Sequence, residues 1–303
     1  MNKRKKVLVT GANGFTGNTL IKILPESQWE IIPMTHREMG LKNEVTVDFC
    51  DKGFVNVLQG LSPVHAVVHL AARVGWDGST RAGLFQPNVL ATAELANWAK
   101  YHNSYFVFAS AALICGERNP HITAGCVLNT DNDYLYSKWL GEEMIRMSGI
   151  KHGILRIAGI FGKNGPSHLG INNAITGALK GIPPVQYGDG KIKRNYVYVK
   201  DLCNMIKYCL EHTIEGTHLI GGSQSISIAE MLEIICDVLL PGEKPVIQPG
   251  KGGHNQLVQP SPLLPGGRTF KEAILDIASA SGGQEGRFLK KLPPLDPPAK
   301  TFD

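Results

Sequence analysis

Val7-Leu8-Val9-Thr10-Gly11-Ala12-Asn13-Gly14-Phe15-Thr16-Gly17-Asn18-Thr19-Leu20-Ile21-Lys22-Ile23-Leu24 is the stretch that decides the fold. An apolar run ends in Gly-x-x-Gly-x-x-Gly and enters a second apolar run with helical character, which together make a strand–turn–helix unit. Each glycine has its own physical reason. Gly11 permits the tight turn out of the strand, Gly14 lets the backbone approach a pyrophosphate, and Gly17 lets the helix pack closely on the strand. The free N–H groups and positive dipole end of that helix form an anion site. In a chain with 34 glycines a triplet alone says little. Its position between the first strand and the first helix gives it meaning.

Outward from this unit, short apolar runs alternate with helical patterns to about residue 160. Residues 30–35, 45–47, 66–70, 105–109 and 153–157 read as strands two to six. They are nearly continuous in apolar residues, as strands covered on both faces are. Residues 89–99 form a helix by propensity and period, and 133–147 another. The alternation predicts an α/β fold, a Rossmann-type doubly wound parallel sheet with ligands at the carboxyl ends of its strands. After Gly162 the pattern loosens into a helical piece at 172–180, strands at 195–199 and 217–220, and helices at 201–211 and 228–239. The expected organisation is a dinucleotide-binding domain over 1–162, to which segments around 191–222 return. A smaller C-terminal substrate-binding lobe covers 163–281, and a mobile Gly-, Pro- and Lys-rich tail runs from 282 to 303.

Composition bounds the function. At 303 residues, 43% hydrophobic and 19% charged, the chain is an ordinary globular protein with room for a sizeable core. The net charge of +5 owes much to Lys3-Arg4-Lys5-Lys6, a solvated flank, and no basic aromatic-rich stretch supports nucleic-acid binding. No apolar run reaches the ~18 residues that span a membrane. Cys50, Cys115, Cys126, Cys203, Cys209 and Cys236 show no C-x-x-C pair and no metal-ligand spacing with histidine. Neither a disulfide nor a metal is expected, and the default compartment is a reduced cytoplasm.

Tyr134-Leu135-Tyr136-Ser137-Lys138 carries the chemistry. Residues four apart share a helix face, so Lys138 lies near the Tyr134 phenol and is expected to lower its pKa toward neutrality. Tyr187/Lys191 and Tyr196/Lys200 have the same spacing, but the first encloses a Gly-Asp-Gly turn and the second lies in a strand pattern. Only Tyr134/Lys138 opens a helix.

With Thr10–Gly17, Val68-His69-Leu70-Ala71-Ala72, Asn88, Tyr134-x-x-x-Lys138, Leu155-Arg156, Gly188-Asp189-Gly190 and Arg194–Asp201 in order, the chain resembles the extended short-chain dehydrogenase/reductases. The closest likeness is to their nucleotide-sugar epimerase/dehydratase branch, and it runs from residue 7 to about 240. The resemblance implies an NAD- or NADP-dependent epimerase, dehydratase or reductase acting on a nucleotide-sugar, assembled as a homodimer through helices 89–101 and 133–147. It makes Tyr134 the acid/base and Lys138 the ligand of the nicotinamide ribose. It gives the cofactor Gly11, Asn13, Gly14, Phe15, Thr16, Gly17, Thr35, His36, Arg37, Asp48, Phe49, Leu70, Ala71, Ala72, Asn88 and Ile157. Arg194 meets the substrate pyrophosphate, with Ala111, Ala112 and Gly159 beside the substrate.

Three positions depart from the family pattern. Ala111 stands where the family carries a catalytic Ser or Thr, leaving Ser110 as the neighbouring candidate hydroxyl. Adjacent strand residues point to opposite faces, which counts against Ser110. Gly159 replaces an Asn that touches the substrate phosphate. Thr35-His36-Arg37 ends the second strand without the carboxylate that selects NAD, and Arg37 suits a 2′-phosphate, so the expectation leans to NADP. Ala111 keeps open a catalytically impaired NADP-binding protein, and Gly159 a reductase of a non-nucleotide ketone.

Overall fold

A computed structural model describes residues 4–51, 53–75, 80–250 and 253–281, and the tail expected from 282 lies outside them. The chain divides into two compact units. One comprises 1–117, 125–157 and 203–218, the other 118–124, 158–202 and 219–303.

A seven-stranded sheet organises the first unit: β1 (Lys5–Thr10), β2 (Trp29–Thr35), β3 (Val45–Thr46), β4 (Ala66–His69), β5 (Tyr105–Ala111), β6 (His152–Ile157) and β7 (Gly216–Ile220). Their order is β7-β6-β5-β4-β1-β2-β3. The pairings β1–β2, β1–β4, β2–β3, β4–β5 and β5–β6 are all parallel. Val7, Leu8, Val9, Val67, Val68, Phe106, Val107 and Phe108 are wholly buried, which explains why these strands read as apolar runs rather than alternations. The registers Thr10↔His69 and His69↔Phe108 bring the carboxyl ends of β1, β4 and β5 to one edge. Strand order reverses beside β1, where β2 lies on one side and β4 on the other. Such a switch point opens a crevice for a ligand.

Among the described residues the α-helices are α1 (Phe15–Ile23), α2 (Phe54–Gly60), α3 (Arg81–Phe85), α4 (Ala91–Tyr101), α5 (Asp133–Ser148), α6 (Gly170–Ala178), α7 (Val199–His212), α8 (Ile228–Leu239) and α9 (Phe270–Ser279). The helix expected from residue 89 is instead entered through α3 and a π turn at Gln86–Leu90. One core cluster joins Leu8, Met34, Phe54, Leu58, Leu95, Trp98, Phe106, Phe108, Ile145 and Ile154.

The second unit contains short strand pairs. Ile160–Phe161 runs parallel to Val197–Tyr198, and Lys193–Arg194 antiparallel to Ile226–Ser227. The strand expected at 195–199 is this short because α7 starts at Val199. Phe161 packs between Tyr198 and Phe270, with ring centroids 5.4 and 5.1 Å away.

One expectation is corrected. Cys115 and Cys126 are joined as a disulfide, with Cα atoms 5.8 Å apart. Both cysteines belong to the first unit and flank 118–124, which belongs to the second, so the bond closes the neck of that loop. No local spacing rule encodes such a pairing.

Candidate functional site

The glycine turn is built as a cradle. Gly11 has φ +65°, and a Cβ there would lie 2.9 Å from the Ala71 nitrogen. A Cβ on Gly17 would come to 2.1 Å from the Gly11 carbonyl oxygen, so α1 can pack this closely only without a side chain. Gly14 caps α1 with no side-chain hydrogen bond, and the first turn carries no acidic residue. The N–H groups there stay available to an anion, so the residues present fit a dinucleotide pyrophosphate. Asn13 and Gly14 are exposed, Phe15 and Thr16 half-buried.

A buried polar chain fixes the surrounding strand ends. His69 is wholly buried, its Nδ1 2.7 Å from Thr10 Oγ1 and its Nε2 2.9 Å from Thr92 Oγ1. Thr92 donates its proton to the Asn88 carbonyl at 2.8 Å, so Nε2–H must donate to Thr92. Nδ1 then accepts from Thr10, whose oxygen accepts the Ala71 N–H at 3.1 Å. Burial, reinforced by the Lys138 charge, holds His69 down at about 3, and it is neutral throughout the working range. Asn88 accepts from Arg73 N at 2.8 Å and donates to Arg73 O at 2.8 Å and to Ser137 Oγ at 2.9 Å. Its amide is thereby spent on the protein itself. Ser137 in turn donates to the Tyr134 carbonyl at 2.7 Å.

Asn132 caps α5 by accepting from Leu135 N at 2.9 Å. Tyr134 sits in the first turn, half-buried, and Lys138 one turn later at 3% exposure. The Lys138 ammonium lies 4.0 Å from the centroid of the Phe108 ring. Burial pushes the Tyr134 phenol up to about 12. Burial also pushes Lys138 down to about 7, against the pull of Glu142. The expectation that the lysine brings the phenol toward neutrality is therefore corrected: desolvation dominates both groups.

Ser110 and Ala111 differ in the way their adjacency suggested. Ser110 Oγ donates to Glu142 Oε1 at 2.6 Å. Glu142 lies eight residues beyond Tyr134, about 12 Å along α5. The Ser110 hydroxyl is thus committed two turns away from the phenol, and its candidacy as a catalytic hydroxyl is corrected. Glu142 is wholly buried and also accepts from Arg146 at 2.9 Å and from Arg156 at 3.0 and 2.8 Å. Burial pushes its carboxyl up, but Arg156, Ser110 and Arg146 outweigh this and hold it below the ordinary range. Ala111 is half-buried and Ala112, which opens a 3-10 turn to Cys115, is wholly buried.

At the end of β2, Thr35 is buried while His36 and Arg37 are exposed. Asp48 lies 3.9 Å from His36 and accepts from Cys50 N at 2.8 Å. Phe49 packs with its ring tilted against those of Phe54 and His69. The sequence reading missed Glu44, whose carboxylate takes the Thr35 hydroxyl at 2.5 Å and the amides of Met39 and Leu41. It stands nine residues beyond the strand end, outside the window where a ribose-binding acid is sought. Leu70 and Ala71 are half-buried, Ala72 exposed and Ile157 buried.

The second unit holds the remaining predicted residues. Gly159 faces the Tyr196 ring, which a Cβ would approach to 2.5 Å, so no asparagine fits there without displacing that ring. Arg194 donates to the carbonyls of His254 and Lys193. Beside its strand opens a cleft of about 760 Å³ lined by Asp189, Lys191, Ile192, Gly250, Gly253, His254 and Asn255. Among the described residues no cluster could hold a metal ion, and no helix is long and apolar enough to cross a membrane.

Comparison with known proteins accords with this arrangement. A putative UDP-glucose 4-epimerase of Methanocaldococcus jannaschii is 29% identical over 249 residues, 76% of this chain and 81% of that protein. The fold matches a Bacillus cereus UDP-glucuronic acid 4-epimerase in complex with NAD, at TM-score 0.74, 20% identity, and coverage of 91% and 99%. It matches a Bacillus anthracis dTDP-4-dehydrorhamnose reductase in complex with NADP at TM-score 0.75, 18% identity, and coverage of 92% and 100%. Residues 7–221 match the family model itself, a span that takes in the glycine turn, the Tyr134/Lys138 helix and the Arg194 strand, and the chain belongs to the NAD dependent epimerase/dehydratase family.

Proposed function

We propose that this protein is an NAD(P)-dependent epimerase, dehydratase or reductase of a nucleotide-sugar, with Tyr134 as its acid/base. The observation that carries this reading is the placement of Tyr134 and Lys138 on successive turns of α5, with the lysine buried and stacked on Phe108. A bound nicotinamide supplies the hydride acceptor or donor. A phenol at about 12 keeps its proton at neutral pH, so Tyr134 as it stands is set to donate to a carbonyl oxygen being reduced, and it must first give up that proton to take one from a sugar hydroxyl being oxidised. Lys138, at about 7 and close to half-charged at neutrality, offers its N–H groups to ribose hydroxyls. Once charged, it favours the phenolate that Tyr134 becomes. Arg194 supplies a planar fork suited to a diphosphate.

The exposed Arg37 supports NADP, because Glu44 has its oxygens engaged by Thr35 and loop amides. The homodimer stays part of the reading, supported by Leu90, Tyr101, Tyr136 and Met147, apolar or aromatic side chains exposed along α4, its entry and α5. A cytoplasmic setting stays part of the reading on the exposed thiol of Cys50, while the Cys115–Cys126 disulfide counts against it.

A second reading, a cofactor-binding protein with weak turnover, is favoured by one observation: Ser110 is spent on Glu142 and Ala111 has no hydroxyl. Loss of one such donor commonly costs about 2.7–4 kcal/mol at the transition state. Proton NMR with UDP-, dTDP-, GDP- and CDP-sugars, each with NAD and NADP in both redox states, separates the two. Conversion that falls by ~100-fold or more in Tyr134→Phe, with dinucleotide affinity retained, upholds the first. No conversion by protein that binds the dinucleotide turns the reading to the second, or to a reductase of a non-nucleotide ketone.

A further inference from the structure

We propose that Cys115 and Cys126 form a reversible dithiol–disulfide site that governs the order of the segment leading into α5. They are the joined pair among the described cysteines, whereas Cys50, Cys203, Cys209 and Cys236 take part in no disulfide. The chain between them includes 118–124, which belongs to the second unit, so the bond closes the neck where the chain leaves the first unit and re-enters it. On one side of the neck, Cys115 ends the 3-10 turn that follows Ala111. On the other, Cys126 begins the stretch that reaches Asn132, the cap of α5.

Hydrogen bonds tie this neck to the cap. Asn129 N donates to the Ile114 carbonyl at 2.8 Å, and Glu117 N to Asp131 Oδ2 at 2.6 Å. The Asn132 amide donates to the Glu117 carboxylate while its oxygen caps Leu135 N. Tyr134 stands two residues beyond. Asp131 and Asn132 are exposed, and hydrogen bonds in contact with water hold a segment weakly by themselves. Closing the loop covalently lowers the entropy of the open state and lets these contacts persist.

The chemistry balances with small thiols as the reductant. A thiolate attacks the sulfur of Cys126, the partly exposed partner, and the S–S bond breaks. Cys115 departs as a thiolate and takes a proton. A second thiol then displaces Cys126 from the mixed disulfide. Two electrons and two protons enter the protein, and one small disulfide leaves. A small-molecule disulfide drives the reverse.

The consequence for activity rests on the proposed role of Tyr134, so the test has an arm that does not. Protein treated with oxidised glutathione is alkylated with iodoacetamide before and after dithiothreitol and mapped by mass spectrometry. Cys115 and Cys126 are expected to be recovered as one linked peptide pair before reduction and as alkylated thiols after it, whereas Cys50 is recovered unlinked to another cysteine of the chain, as alkylated thiol or glutathione adduct. Hydrogen exchange then compares oxidised, reduced and Cys126→Ser protein. The amides of 129–135 are expected to exchange at least 10-fold faster in the last two, with residues 11–20 unchanged. Turnover, where a substrate is found, should fall 3- to 10-fold on reduction with dinucleotide affinity constant, and Cys126→Ser should not respond to the thiol. Free thiols at both positions after oxidation, or equal exchange at 129–135 in all three samples, would overturn the proposal whatever the substrate is.

Discussion

Lys138→Met exchanges a buried cation for an apolar chain of similar length, and its effect on stability should depend on pH in a defined way. In the fold Lys138 titrates at about 7, against 10.5 in the unfolded chain. Between those values the unfolded state holds a proton that the folded state has released, so wild-type stability rises with pH across that window. Below about pH 7 both states are protonated and the penalty for the buried charge is at its full size. At about 1.4 kcal/mol per pH unit the penalty is about 5 kcal/mol. Methionine also forfeits the ammonium–Phe108 contact, worth about 0.5–2 kcal/mol. The variant should be more stable than wild type by roughly 3–4.5 kcal/mol at pH 6, and the gain should vanish by pH 10.5. Urea unfolding of both proteins without dinucleotide, at pH 6, 8 and 10, measures it. A gain that does not change with pH, or a variant less stable at pH 6, would refute the reasoning. The same variant should bind dinucleotide at least ~10-fold more weakly, because its N–H donors are gone.

Three further outcomes are expected. Gly17→Ala forces a methyl to 2.1 Å from the Gly11 carbonyl, and should cost about 1–3 kcal/mol of stability and weaken dinucleotide binding more than ~10-fold by calorimetry. Glu142→Gln leaves the guanidinium groups of Arg146 and Arg156 without their buried counter-charge, at about 3–5 kcal/mol near pH 7. Its carboxyl lies low in the fold, so this contribution is present above the unfolded value of 4.5 and is lost as pH falls below it. Unfolding midpoints of wild type and variant should therefore converge on acidification. Light scattering over a dilution series should show a dimer, and monomer at every concentration would remove the pairing of α4 and α5 from the proposal.

The parts legible in the sequence are those where local chemistry and tertiary need coincide. The Gly11–Gly17 spacing announces β1 and α1 because each glycine answers a close backbone approach. The six strands from 5 to 157 begin and end within two residues of the apolar runs, as burial on both faces demands. Helices α2 and α3, of seven and five residues, are too short for a helical period to declare itself. Helix α9 was legible and overlooked: Thr269-Phe270-Lys271-Glu272 is a capping box, and the structure closes it. The Ser110–Glu142–Arg156 cluster brings together residues 32 and 14 positions apart. No pattern in the chain marks such a meeting.

The chain of hydrogen bonds through His69 also constrains how this sequence can change over time. One end, the Ala71 N–H, can only give a proton, and the other, the Asn88 carbonyl, can only receive one. The orientation of every hydrogen between them is therefore fixed, and the chain cannot reverse. Thr10→Val would orphan the Ala71 N–H and the His69 Nδ1 in one stroke, and Thr92→Val would strand the Nε2–H and the Asn88 carbonyl. A single replacement is penalised twice, and the neighbouring replacement that would cure it is penalised alone. Positions 10, 69 and 92 are thus inherited as a unit: descendants of this chain should keep all three or lose them together.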